Sequence, residues 1–481
     1  MKLEEPKLQE IVEKVLQKLQ QPDNGPGAGS TGQQRAAGPA PRVPTTGKYG
    51  VFPDVDSAVQ AATLAFEQLQ QQPLELRGKM IEAIREVTRR NTADLSHRTV
   101  EETQMGRVED KINKNLLAAN KTPGIEALQP VAWSGDDGLT LTEWAPYGII
   151  GSITPCTNAT ETIICNAIGM IAAGNAVVFN THPRAKNISN FLVRMLNQAI
   201  MSVGGPENLL NVVAEPTIES ANALMEHPGT RLLVVTGGPG VVDAAMSKQK
   251  KVIAAGPGNP PALVDETAHL ERAARSIVMG ASLDNNIVCV VEKEIIAVRS
   301  IADKLKQHLA SNGAFILRES MASRVERVVC GKKGPNTEFV GKDASYILKA
   351  AGIDVSGDPR IIVAETDEKH PFVQMELLMP VIPMVRVDSA QEGIAMSKRV
   401  EHGFRHTAVI HSTNIDNMHQ MAREMDCSIF VKNAPAYAGM GFGGEGYATF
   451  TIASPTGEGL TCARHFSRER RCTLKDSFRI V

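Results

Sequence analysis

The 481-residue sequence predicts an α/β protein with a doubly wound parallel sheet and a second α/β domain. Short runs of Val, Ile and Leu without polar alternation, such as KVIAA at residues 251–255, are typical of parallel strands buried on both faces. Helical segments alternate with these runs, which is the pattern of a doubly wound domain. The length is sufficient for two or three domains with hydrophobic cores.

The composition is that of an ordinary globular protein, with 42% hydrophobic and 22% charged residues. The formal net charge of −2 gives no indication of a nucleic-acid-binding surface. No apolar run approaches the roughly 18–20 residues of a membrane span, and the N-terminal residues lack the pattern of a secretory signal. Seven cysteines without a Cys-x-x-Cys pair favour a reducing, cytoplasmic environment over a disulfide framework.

Residues 1–20 are predicted to form an amphipathic helix ahead of the globular part of the chain. Residues 21–48, rich in Gly, Pro, Gln, Ala and Thr, are predicted to be a disordered linker. A helix held away from the body by such a linker is suited to binding another protein, and docking on its own domain is the alternative. The apolar stripe consists of Leu8, Ile11, Val12, Val15, Leu16 and Leu19.

Residues 49–255 are predicted to form the first globular domain, which begins with helices over 54–71 and 74–103. The doubly wound repeat follows these helices. Its predicted strands cover residues 148–154, 175–180, 208–214, 231–236 and 251–255. Its predicted helices cover 161–174, 184–203 and 217–226, with a further helix that opens at Gly240.

Residues 256–444 are predicted to form a second domain on its own sheet, although the repeat is less regular there. Its predicted helices cover 266–281, 300–311 and 415–425, and its predicted strands cover 294–298, 407–413 and 428–433. The run IVCV at 287–290 has the composition of a buried strand, but the asparagines before it do not fit one.

Three of the predicted strands end in polar or glycine-rich turns. In an open α/β sheet, ligands bind at the carboxyl ends of the strands. Glycines between a strand and a helix also allow a phosphate to approach the backbone N–H groups. The three turns together favour a nucleotide site, although each alone could be a tight turn. They are Thr154-Pro155-Cys156-Thr157-Asn158, Asn180-Thr181-His182-Pro183-Arg184 and Thr236-Gly237-Gly238-Pro239-Gly240.

Cys289 is the candidate nucleophile among the seven cysteines. It follows Asn285 and Asn286, which could supply side-chain amides and a bent backbone, and a thiolate there would attack a carbonyl. The residues alone leave open whether Cys289 is a nucleophile or a small core residue, and Cys156 is also left open. No metal site is predicted, because no cysteine or carboxylate completes one with the histidines of EHGFRHTAVIH (401–411).

Residues 49–481 resemble the aldehyde dehydrogenase superfamily, because six short segments match its motifs in the expected order. The segments are GNAVVF (174–179), VTGGPG (235–240), GPGNPPALV (256–264), Asn285 to Cys289, ELLMPV (376–381) and GFGGEG (441–446). The resemblance implies a Rossmann-type cofactor domain over 49–255, with part of an oligomerisation arm near 130–147. It also implies a catalytic domain over 256–444 and a C-terminal oligomerisation segment over 445–481.

Two departures from the family pattern are similar to the CoA-acylating aldehyde dehydrogenases. Hydrolytic members carry a Glu, the general base that activates water, where Ala254 stands here. NTHPRA (180–185) replaces the Lys-Pro-Ser-Glu adenosine segment. With its N-terminal helix and linker, the chain resembles the acylating acetaldehyde and propionaldehyde dehydrogenases of bacterial microcompartments. The resemblance then implies oxidation of ethanal or propanal with NAD⁺ and coenzyme A to acyl-CoA and NADH.

The resemblance implies a role for each candidate site residue. Cys289 is the nucleophile that forms a thioester, and the amide of Asn158 with the backbone N–H of Cys289 holds the oxyanion. For His182, a loop residue without a ligand role is the alternative. The implied contacts to NAD and coenzyme A, which would use one cleft in turn, are Thr154, Pro155, Thr181, His182, Pro183, Thr236, Gly237, Gly238, Gly256 and Glu376.

The resemblance further implies a homodimer or homotetramer in the lumen of a cytoplasmic bacterial microcompartment. Residues 1–20 would act as an encapsulation peptide that binds shell or core proteins. Two alternative functions remain: a hydrolytic NAD-dependent aldehyde dehydrogenase that releases the free acid, and an inactive cargo or scaffold protein. No nucleic-acid, membrane or metal partner is expected.

Overall fold

The computed structural model describes residues 47–331 and 334–481 of the chain. The predicted helix at 1–20 and all but the last two residues of the predicted linker at 21–48 lie outside these ranges. No helix within the described ranges is both long enough and apolar enough to cross a membrane.

Helices and strands alternate along most of the described chain. In chain order, the strands are β1 (Val51–Phe52), β2 (Val131–Gly135), β3 (Gly138–Pro146), β4 (Ile149–Thr154), β5 (Ala176–Thr181), β6 (Leu210–Val213), β7 (Thr230–Thr236), β8 (Lys251–Ala255), β9 (Pro261–Val264), β10 (Glu294–Val298), β11 (Ala314–Ile316), β12 (Cys330–Gly331), β13 (Gly334–Pro335), β14 (Ile361–Glu365), β15 (Val381–Val387), β16 (Thr407–His411), β17 (Ile429–Lys432), β18 (Ile452–Ala453), β19 (Gly459–Leu460) and β20 (Ser467–Lys475). The helices are α1 (Val55–Gln70), α2 (Leu74–Thr103), α3 (Val108–Lys121), α4 (Ala159–Ala172), α5 (Lys186–Ser202), α6 (Ile218–Glu226), α7 (Pro239–Met246), α8 (Leu270–Ala281), α9 (Arg299–Ser311), α10 (Glu319–Val329), α11 (Ala344–Ala350), α12 (Pro371–Gln374), α13 (Ala390–Val400) and α14 (Ile415–Met425).

A six-stranded sheet, in which every strand pair is parallel, organises the first half of the described chain. The order across this sheet is β1-β6-β5-β4-β7-β8, so the winding direction reverses between β4 and β7. Ligands of open α/β sheets bind at such a reversal. The five predicted strands are confirmed, and β1 is an edge strand that the sequence did not reveal.

A second parallel sheet has the order β11-β14-β15-β10-β9-β16-β17, and the chain enters it between Ala255 and Pro261. This confirms the expectation of a second sheet. Four of its strands were not predicted: β9, β11, β14 and β15. Strand β9 begins at Pro261, the last residue of the proline-rich sequence GPGNPP (256–261), so the sequence around its apolar residues resembles a loop.

A three-stranded antiparallel sheet, β2-β3-β20, stands apart from the two parallel sheets. Strand β20 comes from the C-terminal end of the chain and pairs along the whole of β3. Every residue of β2 is exposed, including half of the surface of Trp133.

Helix α4 packs against strands β4 and β5 of the first sheet and against helices α2, α3 and α5. All of its residues are buried, which explains the predominance of Ile, Ala and Met in its sequence. Cys165 lies within this buried helix and accepts a hydrogen bond from Thr122 Oγ1 at 3.0 Å, as expected for a core residue. The helix begins immediately after Asn158, so its rigid packing also fixes the position of that residue.

The IVCV run at 287–290 is not a strand, which corrects the interpretation of this segment. It follows a 3₁₀ turn over 283–286 in which Asp284, Asn285 and Asn286 have φ angles of 49°, 55° and 68°. Such left-handed backbone cannot continue a strand, and Asn and Asp adopt it more readily than other non-glycine residues. The run is apolar because it is buried in an irregular loop, and composition alone does not distinguish that from a strand.

Candidate functional site

A cleft of about 530 Å³ lies at the carboxyl ends of the first sheet, where the loop of Cys289 approaches it. Strands β4, β5 and β7 end at its wall, as does the segment that follows β8. All twelve candidate site residues named from the sequence line this cleft: Thr154, Pro155, Asn158, Thr181, His182, Pro183, Thr236, Gly237, Gly238, Gly256, Cys289 and Glu376. Their proximity is a property of the structure, and their individual roles stay predictions.

The asparagines before Cys289 hold the shape of its loop with their side chains. Asn285 Nδ2 donates to the carbonyl of Gly341 at 2.9 Å, and Asn286 Nδ2 donates to the carbonyls of Ala281 and Glu292 at 2.8 and 3.0 Å. Both amide groups therefore donate to backbone carbonyls, and that of Asn285 also donates to Asp343 Oδ1 at 3.0 Å. They supply the bent main chain that the sequence indicates.

Lys293 is a buried cation that stabilises the same loop. Its Nζ donates to the carbonyl and side-chain oxygens of Asn286 at 2.8 and 2.7 Å, and to the carbonyl of Val288 at 3.1 Å. Burial raises the pKa of the Cys289 thiol to about 12, and the carboxylate of Glu376 adds to this rise, while Lys293 opposes it. The resting nucleophile is therefore a neutral thiol that needs a proton acceptor before it attacks a carbonyl.

Glu376 is the sole carboxylic acid among the residues that line the cleft in the described part of the chain. Burial raises the pKa of its carboxyl group to about 7, against the opposing effect of Lys293. A carboxyl group with this pKa exchanges its proton near neutral pH. Glu376 is thus able both to accept a proton from a thiol and to accept hydrogen bonds from ligand hydroxyl groups.

Asn158 presents its amide to the cleft in one defined orientation. Its Oδ1 accepts a hydrogen bond from Lys114 Nζ at 2.7 Å. An ammonium group only donates, so the oxygen must face the lysine and Nδ2 must face the other way. Nδ2 makes one weak contact, at 3.5 Å, to the hydroxyl of Thr157, which also lines the cleft. The N–H group that remains is a suitable donor to an oxyanion.

The strand ends at the far side of the cleft fit a nucleotide. At the start of α7, a Cβ added to Gly238 or Gly240 would meet no atom within 4 Å, so the backbone there is open to a phosphate. His182 Nδ1 accepts a hydrogen bond from the N–H of Arg184 at 3.1 Å, which holds the turn after β5. The ring of His182 therefore has a structural contact of its own, and it also lines the cleft.

Ala254 is fully buried in β8, and its N–H donates to Thr456 Oγ1 at 3.0 Å. Its methyl group can neither accept a proton from water nor orient one. The position at which hydrolytic relatives would carry their general base therefore supplies no catalytic group in this chain.

Several residues near the nucleophile were missed by sequence reasoning. Lys114 lies in α3, far from every candidate motif, and no pattern marks it. Lys293 carries a weak signal, since a lysine beside the apolar run of β10 is unusual. His406 packs on Gly258 beside the carbonyl of Cys289, and burial, aided by Lys293, lowers its pKa to about 4, so its ring is neutral at pH 7.

The remaining candidates for chemistry lie apart from this arrangement, except Cys156, which lines the cleft. Burial raises the pKa of the Cys156 thiol, although Arg184 partly opposes this. His402 occupies a turn with a φ of 60°, and His411 lies buried in β16. Within residues 47–331 and 334–481, no group of three His, Cys, Asp or Glu side chains is arranged to hold a metal ion.

A model of the aldehyde dehydrogenase family matches residues 45–315 and 358–458 of the chain. The acetylating acetaldehyde dehydrogenase EutE of Salmonella typhimurium is 50% identical over 444 residues, which are 91% of this chain and 95% of that protein.

Solved structures of two relatives have the same fold. The propionaldehyde dehydrogenase of Rhodopseudomonas palustris, with bound propionyl-CoA, is 50% identical with a TM-score of 0.88, over 90% of this chain and 96% of that one. A propionaldehyde dehydrogenase from the fucose utilisation bacterial microcompartment of Clostridium phytofermentans is 46% identical with a TM-score of 0.89, over 90% of this chain and 100% of that one.

Proposed function

Because this chain belongs to the aldehyde dehydrogenase family, we propose that it is a CoA-acylating enzyme that oxidises ethanal or propanal to the corresponding acyl-CoA. The observation that carries this proposal is Ala254, a buried methyl group where a water-activating carboxylate would be needed for hydrolysis. A thioester formed on Cys289 is therefore not hydrolysed efficiently, and its acyl group is transferred to a thiol. The relatives with acetylating activity and with bound propionyl-CoA support the same conclusion.

The first step is attack of Cys289 Sγ on the aldehyde carbon. Glu376 accepts the thiol proton, because the pKa of its carboxyl group is about 7 and it lines the same cleft. The aldehyde oxygen becomes an oxyanion, which Asn158 Nδ2 and the backbone N–H of Cys289 stabilise. Lys293 keeps the loop of Cys289 in place during attack through its three hydrogen bonds.

The cleft would hold NAD⁺ and coenzyme A at the strand ends. Thr154, Thr181 and Thr236 lie where the strands end, and the open backbone of Gly238 suits a phosphate. When bound, NAD⁺ accepts hydride from the carbon attached to Cys289, and coenzyme A supplies the thiol that takes the acyl group. Cys289 would leave as thiolate and recover its proton from Glu376, and the proton of the coenzyme A thiol would be released to solvent.

The deciding experiment is a steady-state assay with ethanal, propanal and butanal, with and without coenzyme A. We expect continuous NADH formation with coenzyme A, and about one NADH per active site without it. Continued turnover to the free acid without coenzyme A would establish the hydrolytic alternative. Cys289→Ala should abolish NADH formation, and a parent protein that forms no NADH from any of the three aldehydes would favour the inactive cargo or scaffold alternative.

The domain roles follow the same proposal. Residues 49–255 bind NAD and coenzyme A, residues 256–444 supply the nucleophile, and residues 445–481 with the arm near 130–147 form the oligomer contact. The exposed sheet β2-β3-β20 supports the last assignment, because Val131, Trp133 and Leu474 leave apolar surface uncovered. The expected homodimer or homotetramer is measured by light scattering, where a monomer would contradict the assignment.

The cellular setting is proposed from the microcompartment relative and from the N-terminal sequence. Residues 1–20 would bind shell or core proteins and direct the enzyme into the lumen of a microcompartment. Enclosure would retain a reactive short aldehyde until it is converted to the thioester.

A further inference from the structure

A buried charge cluster lies directly behind the oxyanion side of the cleft. Lys114 Nζ lies 2.7 Å from Asn158 Oδ1, 3.0 Å from Glu161 Oε1 and 2.6 Å from Asp284 Oδ2. The side chains of Lys114, Glu161 and Asp284 are at most 1% exposed. The cluster thus joins α3 to the start of α4 and to the turn that leads to Cys289.

The cluster keeps Lys114 charged. Burial alone would lower the pKa of its ammonium group, but Asp284 and Glu161 outweigh burial and raise that pKa above its ordinary value. Burial likewise tends to raise the pKa of Asp284, yet Lys111 and Lys114 together lower it. The contact to Asn158 is therefore a charge-assisted hydrogen bond in a buried site, where the low local dielectric strengthens such bonds.

Asn158 stands at the N-cap position of α4, and its side chain makes no capping hydrogen bond. Asparagine at this position usually accepts from the helix N–H groups. Here its oxygen faces Lys114 instead, and the helix forgoes that stabilisation. The hydrogen bond to Lys114 fixes the orientation of the Asn158 amide, and the start of the helix is less stable because the capping hydrogen bond is not made.

We propose that Lys114 is a positioning residue, which holds Asn158 Oδ1 so that Nδ2–H points at the oxygen of the bound aldehyde. Without the ammonium group, the two amide orientations would be closer in free energy, and the flipped one directs a carbonyl oxygen at the developing negative charge. The inference rests on the proposed attack of Cys289 on a carbonyl. It does not depend on which thiol or water later removes the acyl group.

Lys111 provides the matched control within the same cluster. Its Nζ contacts Asp284 Oδ2 at 2.9 Å and, among the described residues, no second acceptor. Lys111→Met therefore removes an equally buried cation from the same carboxylate but leaves the Lys114–Asn158 hydrogen bond in place. A general loss of electrostatic support would affect both variants, whereas loss of amide orientation would affect only Lys114→Met.

The test measures acylation of Cys289 by 4-nitrophenyl acetate, which needs neither NAD⁺ nor coenzyme A. We expect Lys114→Met and Asn158→Ala each to slow acylation by about 100–1,000-fold, as for loss of one oxyanion donor. Lys111→Met should stay within about threefold of the parent. The double variant Lys114→Met/Asn158→Ala should be no slower than Asn158→Ala alone, because both changes remove the same interaction.

Multiplicative losses in the double variant, or an equal loss in Lys111→Met, would overturn the proposal. If Lys114→Met does not fold, Lys114→Met/Glu161→Gln keeps the charge balance and is compared with Glu161→Gln. If Lys114→Met slows acylation as expected but the parent protein shows no CoA-dependent turnover, only the proposal that coenzyme A accepts the acyl group is refuted. A Cys289 that is not acylated in the parent protein would refute both.

Discussion

Burial sets the protonation states of the residues around Cys289. The thiol of Cys289 and the carboxyl group of Glu292 have raised pKa values of about 12 and about 8, while His406 has a lowered one of about 4. In each case removal from water disfavours the charged form. At neutral pH these groups are therefore mostly uncharged, whereas ion pairing shifts the pKa values of Lys114 and Asp284 toward their charged forms.

Glu292 gives a prediction about stability. Its Oε1 accepts the N–H of Ala436 at 2.8 Å, and burial is the main cause of its raised pKa. The folded protein holds this proton more tightly than the unfolded chain. The contribution of protonated Glu292 to the unfolding free energy is therefore complete below about pH 4.5 and is lost as pH rises through about 8. The unfolding free energy of the parent should decrease between pH 5 and pH 9. We expect this decrease to be smaller by about 3–5 kcal/mol in Glu292→Gln.

Urea unfolding at pH 5, 7 and 9 measures this difference. The exposed Glu109→Gln serves as the control and should leave the pH dependence unchanged. A Glu292→Gln variant with the pH dependence of the parent would show that the carboxyl group is ionised, and therefore hydrated, in the folded protein.

At the scale of elements, the turn before Cys289 depends on the loop between α2 and α3. The N–H of Arg107 donates to Asp284 Oδ1 at 2.8 Å, and the N–H of Asp284 donates to Asp110 Oδ2 at 2.9 Å. Gly106, which has a φ of 76°, lies against the carboxylate of Asp284. The close approach of these two segments therefore requires a residue without a side chain.

Gly106→Ala is expected to destabilise this junction, because its Cβ would overlap Asp284 Oδ1. Gly204→Ala is the matched control, since Gly204 also has a positive φ, of 87°, but a Cβ at this position would have no atom within 4 Å. Left-handed backbone alone should cost about 1–2 kcal/mol in Gly204→Ala. The unfolding free energy of Gly106→Ala should fall further, by roughly 1–3 kcal/mol, with slower acylation of Cys289.

Equal destabilisation in the two glycine variants would mean that Asp284 moves aside without cost. That result would indicate that the turn before Cys289 is held rigid mainly by Lys293, Asn285 and Asn286, whose hydrogen bonds contact the turn from its other side.

The sequence predicts the first sheet well and the nucleophile loop poorly, for physical reasons. The runs AVVF in β5 and VIAA in β8 are apolar because both faces of these strands are covered, and that composition is distinctive. The IVCV run is equally apolar but irregular, because its turn is held by Asn286 and Lys293 rather than by a neighbouring strand.

The candidate site was predicted from three strand-end turns and from the resemblance to the aldehyde dehydrogenase superfamily, and all twelve of its residues line one cleft. Lys114 could not be predicted in this way, because its partners Asn158 and Asp284 lie 44 and 170 positions further along the chain. Contacts of that separation leave no periodicity or spacing in a single sequence. The tertiary structure is needed to reveal them.

At the scale of the whole molecule, the catalytic region and the N-terminal segment are expected to act independently. All candidate site residues lie between 154 and 376, and residues 47–481 supply both parallel sheets. Deletion of residues 1–20 should therefore leave the CoA-dependent activity within about twofold and abolish co-purification with microcompartment shells. Loss of soluble enzyme on deletion would instead indicate that these residues dock on their own domain.

The pairing of β20 with β3 has a consequence for biosynthesis. Ser467 pairs with Pro146, so this edge of β3 stays unpaired until a segment more than 300 residues further along the chain has been synthesised. Until β20 has been synthesised, a nascent chain carries an open strand edge, the type of surface that promotes aggregation. A chain terminated before β20 would keep that edge permanently and become a substrate for chaperones and proteases.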